Sequence, residues 1–400
     1  MKERTGTVNC MIATIIICII AELIGPLQFK VMGIDVKILT MIWVIIMGIL
    51  LSPTLLGKVI PPLKKFISKA EIKRAPFLLS LTLYPLGIMF GINAGPKVGI
   101  VLQAGPALLF QEAGNMMTML IALPLGLLLG LGRSAVGGTF SLCRDTALGI
   151  IGDKYGLESR EGMGTLGTYI SGSVFGTLFY SFLAPVGLAI GFHPYALAMA
   201  SGMGSASMMN AATAALTNAA APMYAEQILA YSATSSLMAM PKTFPQEKST
   251  LSNILEQIKI VLVIYGIVII IHMVSIGSKL PDLAKSTVVS FVMVVIAITL
   301  KNVVKKPNLP GFAWATLVSF VLTLPISPIS DFIVNAMSAY SFGLVGLPLL
   351  AFAGIAVGDQ LEVFKKLSWK IVIVSFVVMA STYFGSAAIS NIILSLKGMI

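Results

Sequence analysis

The chain has 400 residues, of which 57% are apolar and only 11% charged. Soluble domains carry about 25% charged residues, and a soluble chain this long usually divides into about two or three domains joined by polar linkers. No such linkers are present, which excludes a secreted disulfide scaffold, a nucleic-acid-binding module and a single-anchor receptor, and leaves an all-α polytopic membrane protein. The formal net charge is +11. Most of the lysines lie in short connections between apolar runs, as the positive-inside rule expects, so no polyanionic partner is inferred. Cys10, Cys18 and Cys143 form no CxxC pattern, and His193 and His272 have no metal-ligand spacing, so neither a metal nor a cofactor is expected.

Met1–Asn9 is charged and precedes an apolar run too long for a signal-peptide core, so the first helix is read as retained, over Cys10–Phe29. A second helix is expected over Ile38–Leu56. Lys58–Pro76 then holds five lysines and Arg74 against the single acid Glu71. This marks a cytoplasmic connection and places the N-terminus inside. A third helix over Phe77–Ala94 leads out. Lys97–Phe110 reads as a half-helix or re-entrant arm, broken at Gln111–Asn115, with Asn115–Leu131 as the return span.

Arg133–Glu161 falls inside, with Gly137–Ile151 dipping towards the membrane, and Met163–Ile190 is the next span. Pro194–Ala221 is built almost wholly of small and short polar residues and is expected to re-enter from the outer side. Further spans are expected at Pro222–Met240, Gln257–Ile276, Ala284–Leu300, Pro310–Leu324, Phe342–Val357 and Trp369–Leu394. The cationic stretches Lys242–Glu256, Lys301–Lys306 and Lys365–Lys370 then all fall inside. The count is about 10–12 transmembrane helices, with the C-terminus outside. The domain division is an N-terminal membrane half (1–240, with re-entrant segments near 97–114 and 194–221), a cytoplasmic linker (241–256) and a C-terminal half (257–400). Ala122–Leu127 and Gly346–Ala351 share a Leu-Pro-Leu core, which reads either as an internal repeat or as coincidence in a leucine-rich chain.

The densest polar feature is Ala200–Asn210. Unwound backbone inside a membrane is tolerated only where protein or a watery cavity covers it, and glycine lets it leave the helix. A half-helix starting here would aim free N–H groups at an anion. Gly202, Gly204, Ser205, Ser207 and Asn210 are therefore candidate solute-binding residues; close helix packing through small residues is the alternative. Arg144, in Thr139–Thr146, is a candidate carboxylate partner or a topology-setting charge paired with Asp145. Candidate coupling groups are Glu112 with Asn115, Glu226 directly after the small-residue segment, and Asp359, because a carboxylate in an apolar span is costly unless paired, protonated or watered. For Glu112 the alternative is a short solvated loop. Asn335, Ser338, Tyr340 and Ser341 form the corresponding polar cluster of the second half. HExxH, DDxxD and Walker A patterns are absent, so an enzyme is not the primary expectation.

At Ser201–Asn210 and Ser141–Asp145 the chain resembles, over nearly its whole length, a family of bacterial integral membrane proteins of unknown function. It is distantly similar to the superfamily of bile-acid/sodium symporters, cation/proton antiporters, and 2-hydroxycarboxylate and glutamate/sodium transporters. That resemblance implies two inverted repeats, a scaffold domain, and a mobile transport domain with crossed broken helices. The exact signatures of the carboxylate transporters and the paired acids of the antiporters are absent. The expectation is an elevator-type secondary transporter in the cytoplasmic membrane, moving a small solute such as an organic anion with H+ or Na+, as a monomer or homodimer. The alternative is a polytopic intramembrane enzyme or assembly factor using Asp359 or Glu112 as acid and base.

Overall fold

The computed structural model describes residues 2–31, 34–38, 40–139, 151, 154–156, 158–239, 251–304, 309–358 and 367–400, without the side chains of 2–5, 27–31, 34–38 and 251–252. Its helices of eight residues or more are α1 (Lys2–Ile24), α2 (Thr40–Leu50), α3 (Lys69–Ala94), α4 (Arg160–Ser171), α5 (Thr177–Ala189), α6 (Pro194–Ser201), α7 (Ala206–Ala219), α8 (Ala225–Ala239), α9 (Leu251–Ile276), α10 (Leu280–Val303), α11 (Gly311–Leu322), α12 (Ser330–Met337), α13 (Phe342–Val357) and α14 (Trp369–Leu396). The protein is a helical, multi-pass membrane protein with one short antiparallel hairpin, β1 (Leu27–Val31) with β2 (Ile34–Ile38), in the register Leu27 to Ile38 and Phe29 to Val36. The first helix therefore stops short of the expected Phe29. Gly25 takes a left-handed φ of +69° and Pro26 follows it, a pair that caps a helix and prevents its continuation.

Seven described helical stretches are long and apolar enough to cross a membrane, or eight if the bent pair α12–α13 counts as one more. This is fewer than the sequence count. Several expected spans fold as shorter apolar helices, such as α2 with 11 residues and α11 with 12. At 1.5 Å per residue these reach about 16–18 Å, well short of a hydrocarbon core about 30 Å thick.

The chain packs as two compact units that do not follow the sequence halves: unit 1 takes Met1–Gly99 and Pro241–Asp359, and unit 2 takes Ile100–Met240 and Gln360–Ile400. In unit 1, α3 is central and packs on α1, α9, α10, α11 and α13. Phe90 of α3 meets Phe312 and Phe342 edge to face, at 5.9 and 4.8 Å between ring centres. The start of α3 is fixed by a capping box: Ser68 accepts from the first-turn backbone, and Glu71 accepts from Ser68 N at 2.8 Å and Ser68 Oγ at 2.5 Å. The other carboxylate oxygen of Glu71 accepts from Asn9 Nδ2 of α1 at 2.9 Å, so the buried acid is met by three donors.

The α12–α13 pair bends by 66° across Ser338–Ser341. His272 of α9 secures the bend. Its Nδ1 lies 2.8 Å from Val268 O, and its Nε2 accepts from Ser341 N at 2.9 Å.

In unit 2 the 28-residue α14 is central and packs on α4, α5 and α6 and on the segment Gly105–Ala122. Ser159 caps α4, and Arg133 pairs with Glu161 in its first turn. α4 continues through a π turn at Gly172–Gly176 into α5, which lies along α7.

The capping box gives a direct test. Replacing an N-cap serine by alanine costs about 1 kcal/mol. Ser68→Ala is expected to lower stability by about that amount in a detergent unfolding titration, and less in a Glu71→Ala background, where the box is already open.

Candidate functional site

The candidate site lies in unit 2, where two interruptions of helix meet a shared support. The first separates α6 from α7. α6 starts with Pro194 in its first turn and His193 as N-cap, Nδ1 accepting from Tyr195 N at 3.2 Å. Residues Ala196–Ser201 are all buried. The helix ends at Gly202, and the chain runs non-helically to Ser205, the N-cap of α7.

A helix end leaves its last carbonyls without intrahelical donors. Here Gly202 N turns back to Met199 O at 3.1 Å, and two serines of α8 add donors: Ser232 Oγ to Ala198 O at 2.9 Å and Ser235 Oγ to Met199 O at 2.6 Å. From α14, Tyr383 Oη lies 3.3 Å from both Leu197 O and Ser201 Oγ. The serines can approach because position 202 is glycine. Its φ is −69°, open to any residue, but a Cβ there would collide with the Ser235 side chain and lie 2.6 Å from Ser236 N. Gly202 therefore packs closely on α8.

Beyond the break the groups are of another kind. Ser205 is exposed, and Gly204 and Ser207 are half-buried. Thr177 Oγ1 of α5 donates to Ser207 Oγ at 3.2 Å, and Ser207 Oγ lies 3.1 Å from Ser205 Oγ. Three hydroxyls thus adjoin one another at the start of α7, with Ser205 at the exposed end. Met208 N donates to Ser205 Oγ at 3.4 Å, so α7 starts from this hydroxyl. Asn210, one turn along α7 from Ser207, is wholly buried.

The second interruption is a 3-10 turn, Gln111–Asn115, inside the 24-residue apolar stretch Gly105–Leu128. It is neither a solvated loop nor the end of a half-helix: helix continues on both sides, with a π turn at Thr118–Ala122. In a 3-10 turn residues three apart eclipse one another. Glu112 and Asn115 are such a pair, and Asn115 Nδ2 donates to Glu112 Oε2 at 3.0 Å. Among the described residues no donor reaches the buried Glu112 Oε1 or Asn115 Oδ1.

The two interruptions are joined through Ser235. Its Oγ, which supports Met199 O, also lies 3.1 Å from Gln111 Oε1. A hydroxyl has one proton, so among the described residues one end of the wholly buried Gln111 amide stays unpartnered whichever way the amide is turned; with Oε1 towards Ser235, it is Nε2. On the other side, Ser386 Oγ of α14 donates to Gln111 O at 2.9 Å, and a Cβ on Gly114 would collide with the Ser386 backbone.

Of the residues expected from sequence, Gly202, Gly204, Ser205, Ser207 and Asn210 thus share one break, and Glu112 and Asn115 share the other. Glu226 is exposed in the first turn of α8, nine residues before Ser235 and about 14 Å from it along the helix. Arg144 and Asp359 lie outside the described residues. Ser235, Ser386 and Thr177 do not stand out in the sequence, and Gln111 does so only as the first residue of the expected break. The three-residue spacing of Ser232 and Ser235 in an apolar helix is the available signal.

The family model for a protein of unknown function (DUF3100) matches residues 19–244, which include both interruptions. The chain belongs to the DUF3100 family. No curated protein and no solved structure matches it.

Gly202→Ala is expected to cost about 1–3 kcal/mol, the usual range for forcing a methyl into a packed interior. Gly105→Ala, where an added Cβ meets nothing within 4 Å, is expected to leave unfolding unchanged. Parallel denaturation of the two variants checks the contrast.

Proposed function

We propose that this DUF3100 protein is a secondary transporter of elevator type, with its solute site in unit 2, moving a small organic anion together with H+ or Na+. One observation carries the reading: two interruptions in apolar helical segments, one offering donors and the other acceptors that have no partner among the described residues, are tied through Ser235. Interrupted helices in a membrane carry a cost in unsatisfied backbone, and paired interruptions are the usual construction of transporter sites.

The donors suit a carboxylate. Ser205, Ser207 and the backbone at the start of α7 combine hydroxyl protons with the positive end of a 14-residue helix. Gly204 keeps the approach narrow, since a Cβ there would lie 2.8 Å from Met208 Cβ and 3.0 Å from the Tyr180 ring. Asn210 is set behind them. The acceptors suit a cation: Glu112 Oε1 and Asn115 Oδ1 are oxygen ligands of the kind hard cations take. A proton satisfies the carboxylate oxygen alone, whereas Na+ with an oxygen shell satisfies both. By sequence alone, Arg144 stays a further carboxylate partner, Glu226 and Asp359 further coupling acids, and the cytoplasmic membrane with an inward N-terminus the location.

The test is uptake into proteoliposomes. A panel of radiolabelled C2–C6 mono- and dicarboxylates is offered under an imposed Na+ gradient and, separately, a pH gradient. At least one acid is expected to accumulate. Gly204→Leu is expected to lower its uptake by tenfold or more, and Glu112→Gln to remove dependence on the driving gradient. Absence of uptake across the panel, or full uptake by a folded Gly204→Leu variant, overturns the reading.

A further inference from the structure

A separate feature lies in unit 1. α9 and α10 are joined by a three-residue turn, Gly277–Lys279, in which Gly277 takes a left-handed φ of +64° and Lys279 becomes the N-cap residue of α10. Lys279, Asp282 and Lys285 follow at intervals of three, which puts them on one face of α10. Asn335 and Ser338, also three apart, stand opposite on and just beyond α12. Together with Ser278 these residues line an open cleft of about 450 Å³. The floor of the cleft is fixed: Ser286 Oγ donates to Ala336 O at 2.6 Å, and Thr287 Oγ1 lies 2.5 Å from Tyr340 Oη.

Three properties of the cleft identify an occupant. The first is depth. The turn joins two 24-residue apolar stretches, Asn253–Ile276 and Leu280–Val303, so the cleft lies where they leave the hydrocarbon, at the level of lipid phosphates. The second is charge. Two ammonium groups face one carboxylate, and among the described residues neither lysine forms an ion pair. Asp282 has its own reason to be there, since an acid in the first turn of α10 stabilises that helix end. The third is the apolar rim. Ile276 and Leu280 flank the turn, Val288 follows Lys285 by three residues on α10, all three are exposed, and Lys285 Nζ sits 5.8 Å from the ring centre of exposed Phe332. A volume of this size fits a small polar headgroup, and a cationic cleft with an apolar skirt suits a molecule with a phosphate and acyl chains.

We propose that this cleft is a binding site for an anionic phospholipid, with its phosphate held by Lys279 and Lys285, its headgroup against Asn335 and Ser338, and its acyl chains along Ile276, Leu280 and Val288. The site is independent of any solute carried by unit 2.

The test uses the full-length chain, delipidated in a neutral detergent, titrated with dioleoylphosphatidylglycerol and followed by native mass spectrometry. One saturable lipid adduct is expected. A basic residue near a membrane surface contributes about fivefold to the binding of an anionic lipid. Lys279→Gln and Lys285→Gln should therefore each weaken the adduct about fivefold, and the double variant about 25-fold. Asp282→Asn should tighten it, a gain that a merely unfolded variant could not produce. Equal or stronger binding of dioleoylphosphatidylethanolamine or dioleoylphosphatidylcholine overturns the proposal, as does unchanged affinity in the folded double variant. Soluble glycerol 3-phosphate binding as tightly as the lipid reassigns the cleft to a free phosphate ester and also overturns it.

Discussion

A backbone carbonyl that loses its helical partner inside a membrane has no water to turn to, and this constraint governs the rest of the molecule. Each unsatisfied group costs several kcal/mol in hydrocarbon, so every place where an apolar helix stops needs a neighbour to complete it. The end of α6 is completed by Ser232 and Ser235 of α8, with Tyr383 of α14 alongside. The bend between α12 and α13 is completed by the ring of His272, which accepts from Ser341 N while its other nitrogen engages Val268 O. One unit uses hydroxyls and the other an imidazole, but both import a polar side chain to the point where the helix fails.

The same requirement explains where the small residues fall. A serine can reach a carbonyl of another helix only if the two backbones come close, and that calls for glycine at the contact. Gly202 on the α8 serines and Gly114 on Ser386 are both such contacts, and neither has a left-handed φ. Their role is to remove a Cβ. Interhelical hydrogen bonds in membranes contribute about 0.6 kcal/mol on average, so no single one accounts for the architecture. The loss they avoid weighs more: a buried carbonyl left bare costs about 1–3 kcal/mol.

Much of this is legible in the amino-acid order, and the remainder is hidden for identifiable reasons. The membrane class follows from apolar and charged fractions alone. The break at Gly202–Ser205 shows in its cluster of Gly and Ser between two alanine-rich runs. The number of spans does not, because an apolar run such as Thr40–Leu50 reads as a crossing whether it folds as a full span or as 11 helical residues. Apolar character alone carries the first helix past its stop, although Gly25-Pro26 is a sufficient signal to end it. The partners of Gln111 are out of reach: Ser235 lies 124 residues away and Ser386 275 residues away, and no local periodicity links them. The composition of the two units is hidden for the same reason, since each draws on both halves of the chain.

The polar groups of unit 2 divide by whether the fold uses them up. Ser232, Ser235 and Ser386 each donate to a backbone carbonyl at 2.6–2.9 Å and are wholly buried; removing their hydroxyls would damage the scaffold without touching any ligand. Ser205, Glu112 and Asn115 are different. The Ser205 hydroxyl stands exposed, 3.1 Å from that of Ser207, and two buried acceptor oxygens of the Glu112–Asn115 pair have no donor among the described residues. A fold selected for stability alone gains nothing from buried acceptors without partners, since replacing both by apolar groups of similar shape would remove the penalty. A ligand would complete them. Binding is therefore to be sought where hydrogen-bonding capacity is left over, and small residues by themselves do not mark it. That criterion moves Gly202 to the scaffold and leaves Ser205, Ser207, Glu112 and Asn115 as the groups on which a transport mechanism would have to act.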